Sequence, residues 1–355
     1  MRSLQPKVIW LLSITLFAGC AVGPDYHRPE APKSTDYAPV PQVGVDNGGE
    51  TQRLVKSMDI PGQWWTLFRS APLDALIDDA LKHNPDVEAA HAALQVAWEN
   101  AYAERGAYFP AVSAGVNPTR QKNANDVASA VSSNANLYTL TTAQVSVSYA
   151  PDLWGGTRRQ VESMVAQAHA QRFQLEATYL TLTSNLVNAA IEEASLRAQI
   201  DVTQQMIDVQ TTVLNTLRRQ QALGDVAEAS VAAQVAVLEQ TRQTLPPLKK
   251  QIHQQRDLIA ALSGRMPDER IDATFELESL QLPIELPLSL PAQLVEQRPD
   301  VRASEEQLHA ASAAIGVALA NRLPNVQIDA SLGSASEKRV HCSLREPDSG
   351  ASGPA

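Results

Sequence analysis

The sequence predicts a mostly α-helical fold that also carries membrane β-strands, and three observations lead there. From Thr157 to Leu223 there are 67 residues with neither Gly nor Pro. As one helix they would rise about 100 Å at 1.5 Å per residue, more than an ordinary globular domain accommodates. Two stretches alternate apolar and polar residues with a period of two: Val112, Ala114 and Val116, then Val145, Val147 and Tyr149. Finally, a shift of 214 residues lays "NPDVEAAHAALQVA" on "RPDVRASEEQLHAA" without a gap. Pro85, Asp86, Val87, Ala89, Leu94 and Ala97 fall on Pro299, Asp300, Val301, Ala303, Leu308 and Ala311, and Pro110 and Val112 fall on Pro324 and Val326. A tandem duplication accounts for that register.

The N-terminus comes first. Arg2 and Lys7 precede an apolar run from Val8 to Ala18, too short to span a bilayer as a helix but suited to an export signal. "LFAGC" follows and resembles a bacterial lipobox, which implies cleavage before Cys20 and lipid on its thiol. Ala21 at the next position is what that resemblance associates with sorting to the outer membrane. Residues 1–19 are therefore the expected signal peptide, and 20–71 an extended, lipid-anchored arm rich in Pro, Gly and Asp. Cys342 is the only other cysteine, so no disulfide framework is expected.

The first repeat is placed at 72–263. Leu73, Leu76, Ile77, Ala80 and Leu81 form one helical stripe, against which Trp64 and Trp65 are expected to pack. Asn84 and Pro85 then restart the chain as N-cap and first helical residue of a helix reaching about Ala107. Two strands follow, joined by a polar loop over 119–140. Each strand is close to the length a tilted strand needs to cross a bilayer, although the two strands taken alone fit a half-buried soluble hairpin better. Gly155 and Gly156 are expected only to turn the chain into the long helix. Along that helix Leu175, Tyr179, Leu182, Leu186, Ala189, Glu193, Leu196, Ile200, Thr203, Ile207, Gln210, Leu214 and Leu217 step by fours and threes, a heptad seam that needs partner helices. Gly224 ends it. Asp225 is expected to cap a returning helix, with Glu228 as its capping-box partner, a kink at Pro246–Pro247, and an end near Ser263.

A Pro-rich join is placed at 264–291 and a partial second repeat at 292–335. The second repeat reaches its first strand, Val326 to Leu332, and the alternation then gives way to a charged run from Glu337. Residues 336–355 have no counterpart in the first repeat and read as an unrelated tail, left by truncation or a frameshift. On that expectation the second repeat lacks the second strand and the second long helix of the first.

Composition excludes several functions. With 29 basic against 39 acidic residues and a net charge of −10, a nucleic-acid partner is not expected. Seven histidines contain no HExxH and no i, i+4 pair, and there is no CxxC, GxSxG or phosphate loop, so neither catalysis, metal nor cofactor is expected. The acidic pairs Asp78–Asp79 and Glu192–Glu193 read as solvated helix faces.

Taken together, "GCAVGPDYHRP" at 19–29, "WWTLF" with "LDALIDDAL" at 64–81, both "PDV" helix starts, "PDLWGGTRRQVE" at 151–162 and "ALGDVAEASVAAQ" at 222–234 resemble the TolC-like outer-membrane efflux ducts, in their lipoprotein (NodT-type) branch. The resemblance implies a homotrimer in which each chain donates four strands to one closed twelve-stranded β-barrel, continued by a hollow α-helical coiled-coil barrel across the periplasm; with three strands the chain as written would leave nine of the twelve and is not expected to work as a duct. It implies docking with a periplasmic adaptor protein of an inner-membrane RND-type pump in a Gram-negative bacterium. The turn at Leu223, Gly224 and Asp225 is the expected adaptor contact, because it joins two long helices at the end away from the strands. The alternative from another class is a periplasmic adaptor lipoprotein, which also has a long helical hairpin but flanks it with Gly-rich strands.

Overall fold

The computed structural model describes residues 21–30, 46–47, 50–51, 53–56, 60–124, 136–266, 269, 273–282, 285–288 and 295–338. Cys20, the signal segment, Cys342 and most of the expected tail therefore lie outside the described residues. In chain order the elements are β1 (Asp46–Asn47), β2 (Glu50–Thr51), β3 (Arg53–Lys56), a 3-10 turn (Trp64–Phe68), α1 (Ala71–His83), α2 (Pro85–Arg105) and β4 (Ala111–Lys122). They continue with β5 (Leu137–Tyr149), α3 (Gly156–Ala222), α4 (Glu228–Leu262), β6 (Glu285–Leu288), α5 (Pro299–Ala320) and β7 (Ile328–Lys338). By packing the chain divides into two units. One contains 1–24, 102–162 and 313–355, the other 25–101 and 163–312.

In the second unit the core gathers on α3. Every position of the predicted heptad seam is buried or half-buried. Its upper part, Leu182, Leu186, Ala189 and their neighbours Val187 and Ala190, packs with Trp65, Leu73, Leu76, Ile77 and Ala80 and with Ile259, Ala260 and Phe275. The two tryptophans thus meet the α1 stripe as the pattern requires. Lower down, Ile207 and Leu214 meet Leu238 of α4, flanked by Val231, Val235 and Leu245. The partner the seam needs is supplied by the chain's own return helix, running antiparallel after a tight turn. Both Pro246 and Pro247 stand inside α4, which continues through them to Leu262. One pairing escaped the sequence pattern: β3 of the arm and β6 of the join form a two-stranded parallel sheet, Arg53 opposite Glu285 and Lys56 opposite Leu288.

The first unit holds a three-stranded antiparallel sheet in the order β4-β5-β7. Both strands are longer than the apolar alternation suggests. The ladder runs from Ala111↔Ser148 to Lys122↔Leu137, and Tyr138 Oη donates to Gln121 Oε1 at 3.0 Å near its end. Backbone pairing does not require apolar side chains, so the ladder takes in Thr119–Lys122 and Leu137–Leu140, part of the expected 119–140 loop. For the same reason β7 continues past Ser336, with Glu337 opposite Leu140 and Lys338 opposite Thr139. Three residues read as tail, Ser336, Glu337 and Lys338, are strand.

Candidate channel wall, helix joint and tip

The sheet is the candidate wall. Both ladders keep one register from end to end, so alternation sorts the side chains cleanly onto two faces. On one face lie Val112, Ala114 and Val116 opposite Val147, Val145 and Ala143, then Ile328, Ala330 and Leu332 opposite Tyr149, Val147 and Val145. On the other lie Ser113, Gly115 and Asn117 with Ser146, Gln144 and Thr142, then Asp329, Ser331 and Gly333. Ser113 and Ser146 share a hydrogen bond of 2.8 Å across the polar face, and Gln327 Nε2 donates to Ser148 Oγ and Asp329 Oδ1, each at 3.0 Å. The apolar face is open: Val112, Val116, Ile328 and Leu332 are 67%, 65%, 56% and 83% exposed. A broad uncovered apolar surface backed by a polar one suits a sheet with lipid on one side and water on the other. Strands of 12 and 13 residues are long enough to cross a hydrocarbon core when tilted. Among the described residues no helix is long and apolar enough to cross a membrane.

The helix joint is built on Asn84. Its Oδ1 accepts from the backbone N–H of Asp86 at 2.9 Å and of Val87 at 3.3 Å, the N-cap expected from the sequence. Its Nδ2 also donates to Leu262 O at 2.9 Å, tying the last turn of α4 to the first turn of α2. Beside it, Arg265 donates to Asp79 through Nε at 3.1 Å and Nη2 at 2.7 Å, and the His83 ring lies 3.1 Å from the same carboxylate. The Arg265 hydrogen bond holds the Asp79 carboxyl below its usual value, with the His83 ring acting in the same direction. Asp79 is therefore not a plain solvated face, and Glu193 is still less so. Glu193 is 1% exposed within the α3 seam and accepts from Arg197 Nη2 at 2.6 Å, while Arg197 Nε donates to Phe275 O at 3.3 Å. A lone sequence pattern of two acids cannot show which of them turns inward; the heptad position of Glu193 was the available signal.

The tip contains all three residues singled out for docking. Gly224 has φ +84° and closes α3: Gly224 N–H donates to Gln221 O at 3.0 Å and Asp225 N–H to Gln220 O at 2.9 Å. These bonds consume carbonyls left over at the helix end, and only Gly adopts that φ without strain. Leu223 is 78% exposed at the apex. Asp225, however, is not the cap of α4. The N-cap is Ala227, with no side-chain cap bond, and helical hydrogen bonding starts at Glu228. After the left-handed turn the chain needs two further residues to swing back toward α3, so the expected capping box with Glu228 does not form and Asp225 stands free of the helix start. Among the described residues no cluster of His, Cys, Asp and Glu is suited to a metal ion.

Comparison with known proteins agrees with this architecture. The family model for outer membrane efflux proteins matches residues 76–265, more than half of the chain. The pyoverdine export outer membrane protein OpmQ of Pseudomonas putida is 28% identical over 306 residues, covering 85% of this chain and 65% of that protein. OpmQ of Pseudomonas aeruginosa is 29% identical over 280 residues, covering 78% and 59%. The chain thus spans about two thirds or less of the length of these relatives. In fold it resembles the outer-membrane channel OprN, with a TM-score of 0.73 at 23% identity, covering 90% of this chain and 73% of that one. CusC, whose structures concern folding and transmembrane channel formation, is similar at a TM-score of 0.72, covering 89% and 68%. With its two-faced sheet and its 67-residue helix, the chain belongs to the outer membrane efflux protein family.

Proposed function

We propose that this protein is the outer-membrane channel component of a tripartite efflux system, a passive exit duct for small molecules that performs no chemistry of its own. The observation that carries the proposal is the two-faced sheet of β4, β5 and β7, whose open valine and leucine face has no use in water. Three copies would close such sheets into one barrel, because open sheet edges are not tolerated in lipid. The polar faces with Ser113, Gln144, Ser146 and Asp329 would then line a wet lumen.

The remaining assignments follow from this reading. Cys20 carries lipid and anchors the chain to the outer membrane. Leu223, Gly224 and Asp225 meet a periplasmic adaptor, which couples the duct to an inner-membrane pump of the RND type. Two long helices end in an exposed leucine at this turn, a shape suited to nesting against another helical tip. An adaptor role for the chain itself is disfavoured by strands this long with one apolar face.

The test has three readouts. Purified protein is expected to be trimeric, and conductances in planar bilayers would show a closed barrel and overturn the expectation that this chain leaves it three strands short. Cysteines at Leu223 or Asp225 are expected to crosslink to the adaptor, whereas one at Gln121, in β4, is not. Crosslinking from Gln121 alone would reverse the assignment of the docking end.

A further inference from the structure

We infer that residues Ala21–Gly23, which follow Cys20, are an intramolecular ligand for a slot between the Trp154–Gly155 corner and Gly316 of α5, and that this slot fixes where the anchored end of the chain leaves the protein. The inference rests on the lipid-anchor reading of Cys20 for its consequence, though not for the slot itself.

Three glycines from three separate segments make the slot. A Cβ on Gly23 would stand 2.5 Å from Gly316 Cα, and a Cβ on Gly155 would stand 2.8 Å from both Cα and Cβ of Ala21. A Cβ on Gly316 would meet Val22 O at 3.0 Å and Arg159 Cγ at 2.8 Å. Most of these neighbours are backbone atoms, which cannot swing aside as the end of a side chain can. Between the glycines the Val22 N–H donates to Trp154 O at 3.0 Å. The corner is itself held rigid. Trp154 Nε1 donates to Pro324 O at 2.9 Å, and the Asp152 carboxylate accepts from Thr157 N–H at 3.1 Å and Arg158 N–H at 2.9 Å at the start of α3. Arg159, 6% exposed, pairs with Glu162 at 2.8 Å. Gly155 therefore does more than turn the chain, contrary to the expectation from sequence.

Two consequences follow. Trp154 of the corner lies five residues beyond Tyr149, and Pro324, whose carbonyl it binds, lies four before Ile328; Tyr149 and Ile328 pair at one end of the apolar face. An acyl chain on Cys20 would leave the protein at that same end, so anchor and apolar face enter lipid together. Moreover, Gly316 belongs to the second repeat and Gly155 to the first. The slot exists only once α5 has packed on the start of α3, which makes seating of the arm conditional on docking of the two repeats.

The test is hydrogen exchange read at the Val22 amide of the full lipidated chain in detergent. In the wild type this amide is expected to exchange at least about tenfold more slowly than in G23A, since a hydrogen-bonded amide exchanges only on opening. Gly23 lies in the arm, so G23A changes no helical residue: the new methyl group cannot be seated against Gly316, the arm is displaced, and amides of 313–320 should keep their wild-type rates. C20S should leave Val22 protected. Equal Val22 rates in the wild type and G23A would overturn the slot. A protected Val22 amide with mass spectrometry showing unmodified Cys20 would uphold the slot and overturn the anchor.

Discussion

Asn84 Nδ2 donates to Leu262 O at 2.9 Å, so the side chain that starts α2 also closes the end of α4. One residue satisfies two orphan N–H groups at one helix end and a carbonyl at another. In the second repeat the same position is Arg298, whose guanidinium instead grips Asp300 at 2.7 and 3.0 Å on the surface.

Replacing Asn84 should therefore separate the two jobs. N84D keeps the cap acceptor but loses the donor to Leu262 O, and N84A loses both. We expect thermal unfolding to rank wild type above N84D above N84A, with N84A weakened by about 1–3 kcal/mol. Equal Tm values for N84A and wild type would show that the joint is held by other contacts.

The pair Glu193–Arg197 gives a second prediction. R197M leaves a carboxylate that is 1% exposed without its partner. That should destabilise the chain by about 3–5 kcal/mol, whereas E193M/R197M should recover most of the loss, because removing both charges also removes the desolvation cost. A double variant no better than R197M would contradict this account.

Within the α3 seam the cost of a cavity should follow the depth of the cluster. Leu186 is fully buried among residues of α1, α3 and α4, whereas Leu214 lies in a cluster of three buried residues. L186A should lose about 2–5 kcal/mol and L214A less, because a thin cluster can close over the gap. Chemical denaturation followed by helical circular dichroism measures both.

Acid should act through Asp79. Its carboxyl is held below the ordinary value of 3.8, first by the Arg265 hydrogen bond. A depressed folded value means that the stabilisation is fully present above the unfolded value and is lost as pH falls through the folded one. D79N should thus be less stable than wild type at neutral pH, and the difference should shrink as pH drops below about 4. A gap that stays constant in acid would assign the effect to packing.

What the sequence determined by itself was everything carried by local period and punctuation. The Gly-free tract named α3 to within a residue at either end, because nothing inside it opposes helix. Each position picked out by the steps of three and four from Leu175 to Leu217 is buried or half-buried, though Thr183, Val187, Ala190 and Ala194 beside that seam are buried too, and Asn84–Pro85 marked a helix start by the chemistry of the cap alone. Alternation gave both strands of the first repeat their faces. The tertiary structure decided whatever depends on a partner distant in the chain. β7 of the second repeat pairs with β5 of the first along 11 residues, and that ladder, not side-chain character, carries the strand to Lys338. The parallel pair β3–β6 joins the arm to the join with four residues a side, too few to leave a pattern. Glu193 turned inward because Arg197 and Phe275 O come to meet it, and the glycines at 23, 155 and 316 acquire a common purpose only where three segments cross. Period is a property of neighbours along the chain; pairing, burial of charge and close crossing are properties of neighbours in space.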